Sequence, residues 1–265
     1  MSIHSTWLAA VLIALALPVA AGIRVGVTPG ALADSIAVAA TEAKTQGLDV
    51  EVVEFSDWTT PNLALENGDL DLNYFQHQAF LDNALKETGY HLRSVALGIL
   101  PNIGLYSEKY QSLDAIPEGA RVAIASDPVN QGRGLALLET AGLIGLTPGI
   151  GWQATLDDVT ANPRGLRFVE IEGPQLVRIT GDVDLAQGYP HFIVASGAFD
   201  PTSGLIYSGI EDKQFAVAFV ARADNKDDPR IGQFVDLFHT SQAVRARVHE
   251  SFAQSDKLYI LAWQG

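Results

Sequence analysis

The apolar positions of this chain switch repeatedly between strand and helix spacing. Ile23-Arg24-Val25-Gly26-Val27 is a buried-type strand that ends in Thr28-Pro29-Gly30. Ala31 to Thr45 then repeats its apolar positions at helical spacing, and Gln46-Gly47 stops it as a C-cap would. Leu48 to Phe55 alternates like a strand and ends at Ser56-Asp57-Trp58, after which Thr59-Thr60-Pro61-Asn62 opens a helix through Asn67. Gly68 to Phe80 reads as a short buried strand that runs out through Asn73-Tyr74-Phe75-Gln76-His77 into a turn and restarts as a helix, which stops at Gly89. Strand, helix, strand, helix, strand is the pattern of a parallel sheet with crossover helices.

The pattern then starts again. Arg121 to Ala125 is a strand ending in Ser126-Asp127-Pro128, and Asn130 to Ala141 is a helix closed by Gly142. Gly165 to Glu172 resembles Gly47 to Phe55, and Gly181-Asp182-Val183-Asp184-Leu185 matches Gly68-Asp69-Leu70-Asp71-Leu72. Each of the latter pair runs towards aromatics, Tyr74 and Phe75 in one and Tyr189 and Phe192 in the other. Three matches in the same order predict two similar α/β lobes. Gly98 to Tyr106 looks like a first crossing between them, and Phe215 to Ala221 like the return crossing. Ile231 to Phe252 gives an amphipathic terminal helical stretch. The expected architecture is a two-lobed α/β fold, each lobe a mainly parallel sheet with flanking helices and two crossing segments at the hinge. Lobe 1 would comprise residues 22–105 and 213–265, and lobe 2 residues 106–212. Closure around a ligand follows from that topology.

Composition narrows the partners. The chain is 48% hydrophobic and 18% charged, a globular balance, and its net charge of −14 argues against nucleic acid, which needs clustered Lys and Arg. Met1 to Ala21 contains no Asp, Glu, Lys or Arg. Trp7 to Leu17 is an apolar run followed by Pro18 and the small-residue exit Val19-Ala20-Ala21, so residues 1–21 read as a signal peptide, too short to span a membrane. The absence of cysteine excludes a thiolate nucleophile, a Cys-ligated metal and a lipid-modified cysteine. The mature protein is expected to be soluble.

Ligands in open α/β sheets bind outside the carboxyl ends of the strands, and several candidate residues fall there. Arg133 reads as lying in the first turn of its helix, where a guanidinium beside free backbone N–H groups favours an anion. Trp58, Phe75 and Phe80 sit at or past strand ends, where they line a pocket or simply pack in the core. His77 either hydrogen-bonds a ligand or caps its helix. Catalysis finds little support: Asp69–Asp71 and Asp182–Asp184 read as turn and strand-start residues, and there is no nucleophile elbow, His-Glu-x-x-His or Walker A loop. The histidines show no metal-ligand spacing on one element, and neither a metal nor a cofactor is expected.

Val25-Gly26-Val27-Thr28-Pro29-Gly30, Glu54-Phe55-Ser56-Asp57-Trp58, Pro61-Asn62, Asn73-Tyr74-Phe75-Gln76-His77, Tyr106-Ser107, Asp127-Pro128-Val129-Asn130-Gln131-Gly132-Arg133, Gly142-Leu143-Ile144 and Asp182-Val183-Asp184 recur together. In this order they resemble the NlpA/MetQ family of methionine-type substrate-binding proteins of ABC importers, across essentially the whole mature chain. The resemblance implies a type II periplasmic-binding-protein fold, a small ligand in the cleft, and delivery to a membrane permease driven by an ATPase. It implies a pocket of Trp58 (usually Tyr), Phe75, His77, Phe80 (usually Tyr) and Arg133, the aromatics holding an apolar side chain and the arginine a carboxylate. A signal with no cysteine to carry the family's lipid anchor predicts an exported, periplasmic protein, and a monomer that docks transiently at the membrane is expected.

Three departures accompany the resemblance. Tyr189 stands where the family has an asparagine, and Val217 aligns with a second one. The lipid-anchor cysteine is missing. The cargo is therefore expected to be a methionine-like amino acid or a related carboxylate with an apolar side chain. A non-methionine organic acid, a peptide binder or a sensor stays open, as does, at the margin, an enzyme using His77.

Overall fold

The computed structural model of the protein describes residues 22–264. The expected signal peptide, residues 1–21, lies outside them. The first sheet begins with β1 (Ile23–Val27), whose side chains are buried except for Arg24. Helix α1 (Ala31–Thr45) carries Asp34 in its first turn and Lys44 in its last, each complementing the helix dipole. Then come β2 (Val50–Glu54), α2 (Thr60–Glu66), β3 (Leu72–His77) and α3 (Gln78–Thr88). Gly89 ends α3 at φ 74°, in the left-handed region that glycine enters without strain.

Three short strands follow: β4 (Leu92–Leu97), β5 (Ile99–Pro101) and β6 (Gly104–Tyr106). The second half contains β7 (Arg121–Ala125), α4 (Pro128–Thr140), the small hairpin β8 (Gly145–Leu146) and β9 (Val159–Ala161), and β10 (Arg167–Ile171). It continues with α5 (Leu176–Ile179), β11 (Leu185–Gly188), α6 (Pro190–Ser196) and β12 (Ile206–Tyr207). The chain returns through β13 (Val217–Arg222) to α7 (Pro229–Thr240), α8 (Gln242–Ser251) and β14 (Tyr259–Leu261).

Two sheets of the same plan result. Their orders are β2-β1-β3-β13-β4 and β10-β7-β11-β6-β12. In each, the first three strands pair in parallel and the last two join antiparallel. The expected parallel cores are present, each extended along one edge. The matched Gly-Asp segments have matching hydrogen bonds. Asp71 accepts from the Arg24 backbone N–H at 2.8 Å, and Asp184 from that of Arg121 at 2.8 Å. Each arginine's guanidinium also donates to a backbone carbonyl, of Asp69 or Asp182. Both Asp pairs thus fasten the start of a strand, as read from the sequence.

Two other expectations need correction. Phe215 to Ala221 is not itself the crossing, because Val217–Arg222 lies inside the first sheet between β3 and β4. The terminal helical stretch is two helices, since Ser241 turns extended (ψ 126°) and its hydroxyl accepts from Val244 N–H to start the second.

The crossings fall between β5 and β6 and between β12 and β13, and Asn102 ties them together. Its Oδ1 accepts from the Ser208 hydroxyl at 3.0 Å and from Gly209 N–H at 3.1 Å, while its amide donates to the Lys257 carbonyl. The core of the first lobe centres on Tyr74, stacked on Phe219 at 4.3 Å with its hydroxyl accepting from Ile99 N–H. A side chain at Gly98 would begin 2.2 Å from that hydroxyl, so only glycine lets the strand pass. Among the described residues no helix is long and apolar enough to cross a membrane.

Candidate functional site

Residues just beyond the carboxyl ends of β1, β3, β7 and β11 meet around one cavity between the lobes. All six expected site residues line it. Trp58 comes from the loop after β2, Phe75 and His77 from β3, Phe80 from the first turn of α3, Arg133 from α4, and Tyr189 from the cap of α6. The cavity admits the centre of a water-sized sphere over about 40 Å³, room for roughly three waters.

One end is polar and built across the lobes. His77 caps α3, its Nδ1 accepting from Phe80 N–H at 3.1 Å, so the proton sits on Nε2. That Nε2–H reaches Asn130 Oδ1 at 3.3 Å on the opposite lobe. Burial, reinforced by the Arg133 charge, pushes His77 down to about 3 and keeps it neutral. Asn130 Oδ1 also accepts from Arg133 Nη1 at 3.1 Å, and its amide group donates to Asp127. The Asp127 carboxylate therefore fixes which way Asn130 points, and Asn130 in turn positions both His77 and Arg133.

Arg133 is buried, 7% exposed, with its guanidinium 4.2 Å above the Phe215 ring. Among the described residues no carboxylate comes within ion-pair distance of it. Burial pulls its pKa down, opposed at longer range by Tyr189, Asp127 and Asp212. An Arg remains charged in any such setting, so a buried cation stands at the cavity wall with most of its donors uncommitted. Its expected place in the first turn needs correction. Helix α4 starts at Pro128, which puts Arg133 in the second turn, and Asp127 itself accepts from Asn130 N–H at the helix start. The guanidinium rather than the helix end supplies the positive charge.

The rest of the cavity is aromatic. Trp58 reaches across the cleft, meeting Tyr189 edge-on at 5.5 Å and Phe192 at 6.3 Å, with Phe80 of its own lobe at 6.3 Å. It lies against the backbone of Gly173, where a Cβ would be 2.1 Å from two ring carbons. Phe75 and Phe80 meet edge-on at 6.0 Å. The Tyr189 hydroxyl accepts from the buried amide of Gln187, which also donates to the Asn130 carbonyl. Burial raises the Tyr189 pKa, so it stays a neutral phenol. Val217 sits opposite His77 in the sheet and lines the cavity, and its side chain carries no hydrogen-bonding group.

Sequence reasoning missed Asn130, Gln187, Thr28, His191, Phe192 and Phe215 as parts of this site. Asn130 had a visible signal, a polar residue three positions after Asp127 and three before Arg133. Phe215 had none, since it arrives from the return crossing.

Comparisons with known proteins identify relatives of this chain. The NlpA lipoprotein family model matches residues 23–260. The D-methionine-binding lipoprotein MetQ of Yersinia pestis is 42% identical over 229 residues, covering 84% of this chain and 83% of that protein. The structure of an ABC transporter, periplasmic substrate-binding protein from Coxiella burnetii superposes with a TM-score of 0.82 at 35% identity, covering 90% of this chain and 99% of that one. A nutrient binding protein from Burkholderia cenocepacia, bound to methionine, superposes with a TM-score of 0.82 at 36% identity, covering 87% of this chain and 97% of that one.

Proposed function

The chain belongs to the NlpA lipoprotein family of ABC-transporter substrate-binding proteins, and from that premise we propose that it captures a small carboxylate with an apolar tail in the inter-lobe cleft. The observation that carries this is Arg133, a buried guanidinium with no carboxylate at ion-pair distance among the described residues. An uncompensated buried charge costs several kcal/mol, and a ligand carboxylate relieves that cost. Trp58, Phe75, Phe80 and Tyr189 enclose the tail, and His77 with Asn130 holds the two lobes together over it. Delivery to a membrane permease driven by an ATPase completes the reading, with a monomeric periplasmic protein whose lobes divide between β5 and β6, just before the expected 105/106 because β6 pairs within the second sheet, and at 212/213.

Methionine-like amino acids are the first candidates, given the methionine-bound relative. A specific observation favours a carboxylate other than an α-amino acid. The Tyr189 oxygen already accepts from Gln187, and Val217 offers no acceptor. Among the described residues no Asp or Glu lines the cavity, so an ammonium group finds few partners there. A thermal-shift screen of signal-free protein against both enantiomers of methionine, other amino acids, short peptides and organic acids tests the proposal. Ligand at about a hundred times its Kd should stabilise the fold by roughly 2.7 kcal/mol. If no carboxylate raises the melting temperature, the reading fails.

A further inference from the structure

Gln187 does not line the cavity, but it holds a residue that does. It is fully buried at the end of β11, and its whole amide is committed. Its Oε1 accepts from Ala125 N–H at 3.0 Å, which fixes the way the amide faces. Its two Nε2 protons go to the Asn130 carbonyl at 3.0 Å and to the Tyr189 hydroxyl oxygen at 3.2 Å. Gly134 inside α4 makes room for it, since a Cβ there would sit 2.5 Å from Gln187 Oε1. Glycine is unfavourable in a helix interior, so α4 gives up stability to admit this amide.

The consequence falls on Tyr189, which lines the cavity and is only 5% exposed. An amide N–H can only donate, so the phenol oxygen accepts from Gln187 and its own proton is directed elsewhere. Burial keeps that proton on the oxygen. Among the described residues it meets no acceptor, although buried polar groups nearly always find a partner. Gln187 also sets where the hydroxyl stands. The same Nε2 joins it to the backbone of Asn130, whose side chain accepts from Arg133 one turn further along α4. The Arg133 charge acts on the phenol, opposing the effect of burial. A positive charge nearby favours an electron-rich oxygen as the partner for the phenol's proton.

We infer that the Tyr189 hydroxyl, oriented by Gln187, donates a hydrogen bond to an acceptor oxygen at the head of the cargo. That oxygen is one of the carboxylate's own or an α-keto oxygen beside it. Tyr189 is then a polar determinant of what the cleft accepts, and Gln187 is the positioning residue behind it. The inference rests on Arg133 receiving the carboxylate.

The test is calorimetric titration of the parent, Tyr189→Phe, Gln187→Leu and the double variant with the desamino acid and the α-keto acid of methionine. Tyr189→Phe should weaken binding about tenfold or more. An equal loss for both acids assigns the acceptor to the carboxylate, and a larger loss for the keto acid assigns it to the keto oxygen. Loss for neither overturns the inference and leaves the Arg133 anchor standing. Gln187→Leu should cost more affinity in the parent than in Tyr189→Phe, where no hydroxyl is left to orient. An equal cost in both backgrounds overturns the positioning role. A second readout depends on no variant's affinity: carbon-13 placed at tyrosine Cζ, the Tyr189 signal being the one of seven that Tyr189→Phe lacks. It should move downfield when the keto acid saturates the parent, and a signal that stays in place overturns the inference. Failure of both acids to bind overturns the anchor, and this inference with it.

Discussion

Gly173→Ala places a methyl group where the structure has none to spare. The added carbon would sit 2.1 Å from two ring carbons of Trp58, whereas carbon atoms pack comfortably at about 3.5–4.0 Å. The indole must therefore give by roughly 1.5 Å. Within the cleft it packs against Tyr189, Phe192 and Phe80, which resist that movement. Overpacking of this kind costs about 1–3 kcal/mol, here charged to the closed arrangement rather than to either lobe. Closure should weaken by roughly 5- to 150-fold. Small-angle X-ray scattering should show a larger radius of gyration, and Trp58 emission should shift towards that of a wetter indole. Trp58→Phe in the same chain should restore the compact form by removing the ring atoms that clash. A Gly173→Ala protein with the parent's dimensions and unshifted Trp58 emission would refute the idea that Trp58 bridges the cleft.

Asn130→Ala should destabilise the protein by about 2–4 kcal/mol, since His77, Arg133 and Asp127 all lose a buried partner at once; urea melts read this, and an unchanged midpoint contradicts the assigned network. Tyr74→Phe should cost about 1–2 kcal/mol by orphaning Ile99 N–H, measured the same way. Acid should weaken the fold before the carboxylates titrate. His77 and His191 are held neutral down to about 3, while unfolded histidine protonates near 6.5. The unfolded chain binds more protons throughout that window, so stability is full above it and falls as pH drops through it, by roughly 2 kcal/mol per histidine at about pH 5. Equal urea midpoints at about pH 7.5 and pH 5 would contradict the burial of both rings.

The strand-to-helix changeover at Asn73-Tyr74-Phe75-Gln76-His77 was legible because a fully buried strand, a capping histidine and a terminal Gly89 all leave local marks. The repeat of Gly-Asp segments announced two lobes for the same reason. What escaped was set by contacts between distant segments. Phe238, Val244 and Val248 keep one apolar face across Ser241, so nothing in the pattern betrays the break there. A continuous apolar run such as Val217–Val220 says that a strand is buried but not which neighbours it joins. Pro128 starts its helix earlier than the polar run suggested, which moved Arg133 one turn along. Asn130 looks like an ordinary first-turn residue until His77, 53 positions away, meets it across the cleft. Trp58 reads as a loop aromatic until Gly173 is seen beneath it.

The central claim is that a buried arginine in the cleft receives a ligand's carboxylate. Calorimetric titration of the parent and of Arg133→Gln with a carboxylate selected by the screen, and with the primary amide of the same compound, addresses it directly. A charge-assisted pair of this kind contributes about 1.5–3 kcal/mol, so the parent should prefer the acid over the amide by roughly 10- to 150-fold. Arg133→Gln should lose that preference. Equal binding of acid and amide by the parent, or a preference that persists without the guanidinium, would contradict the account.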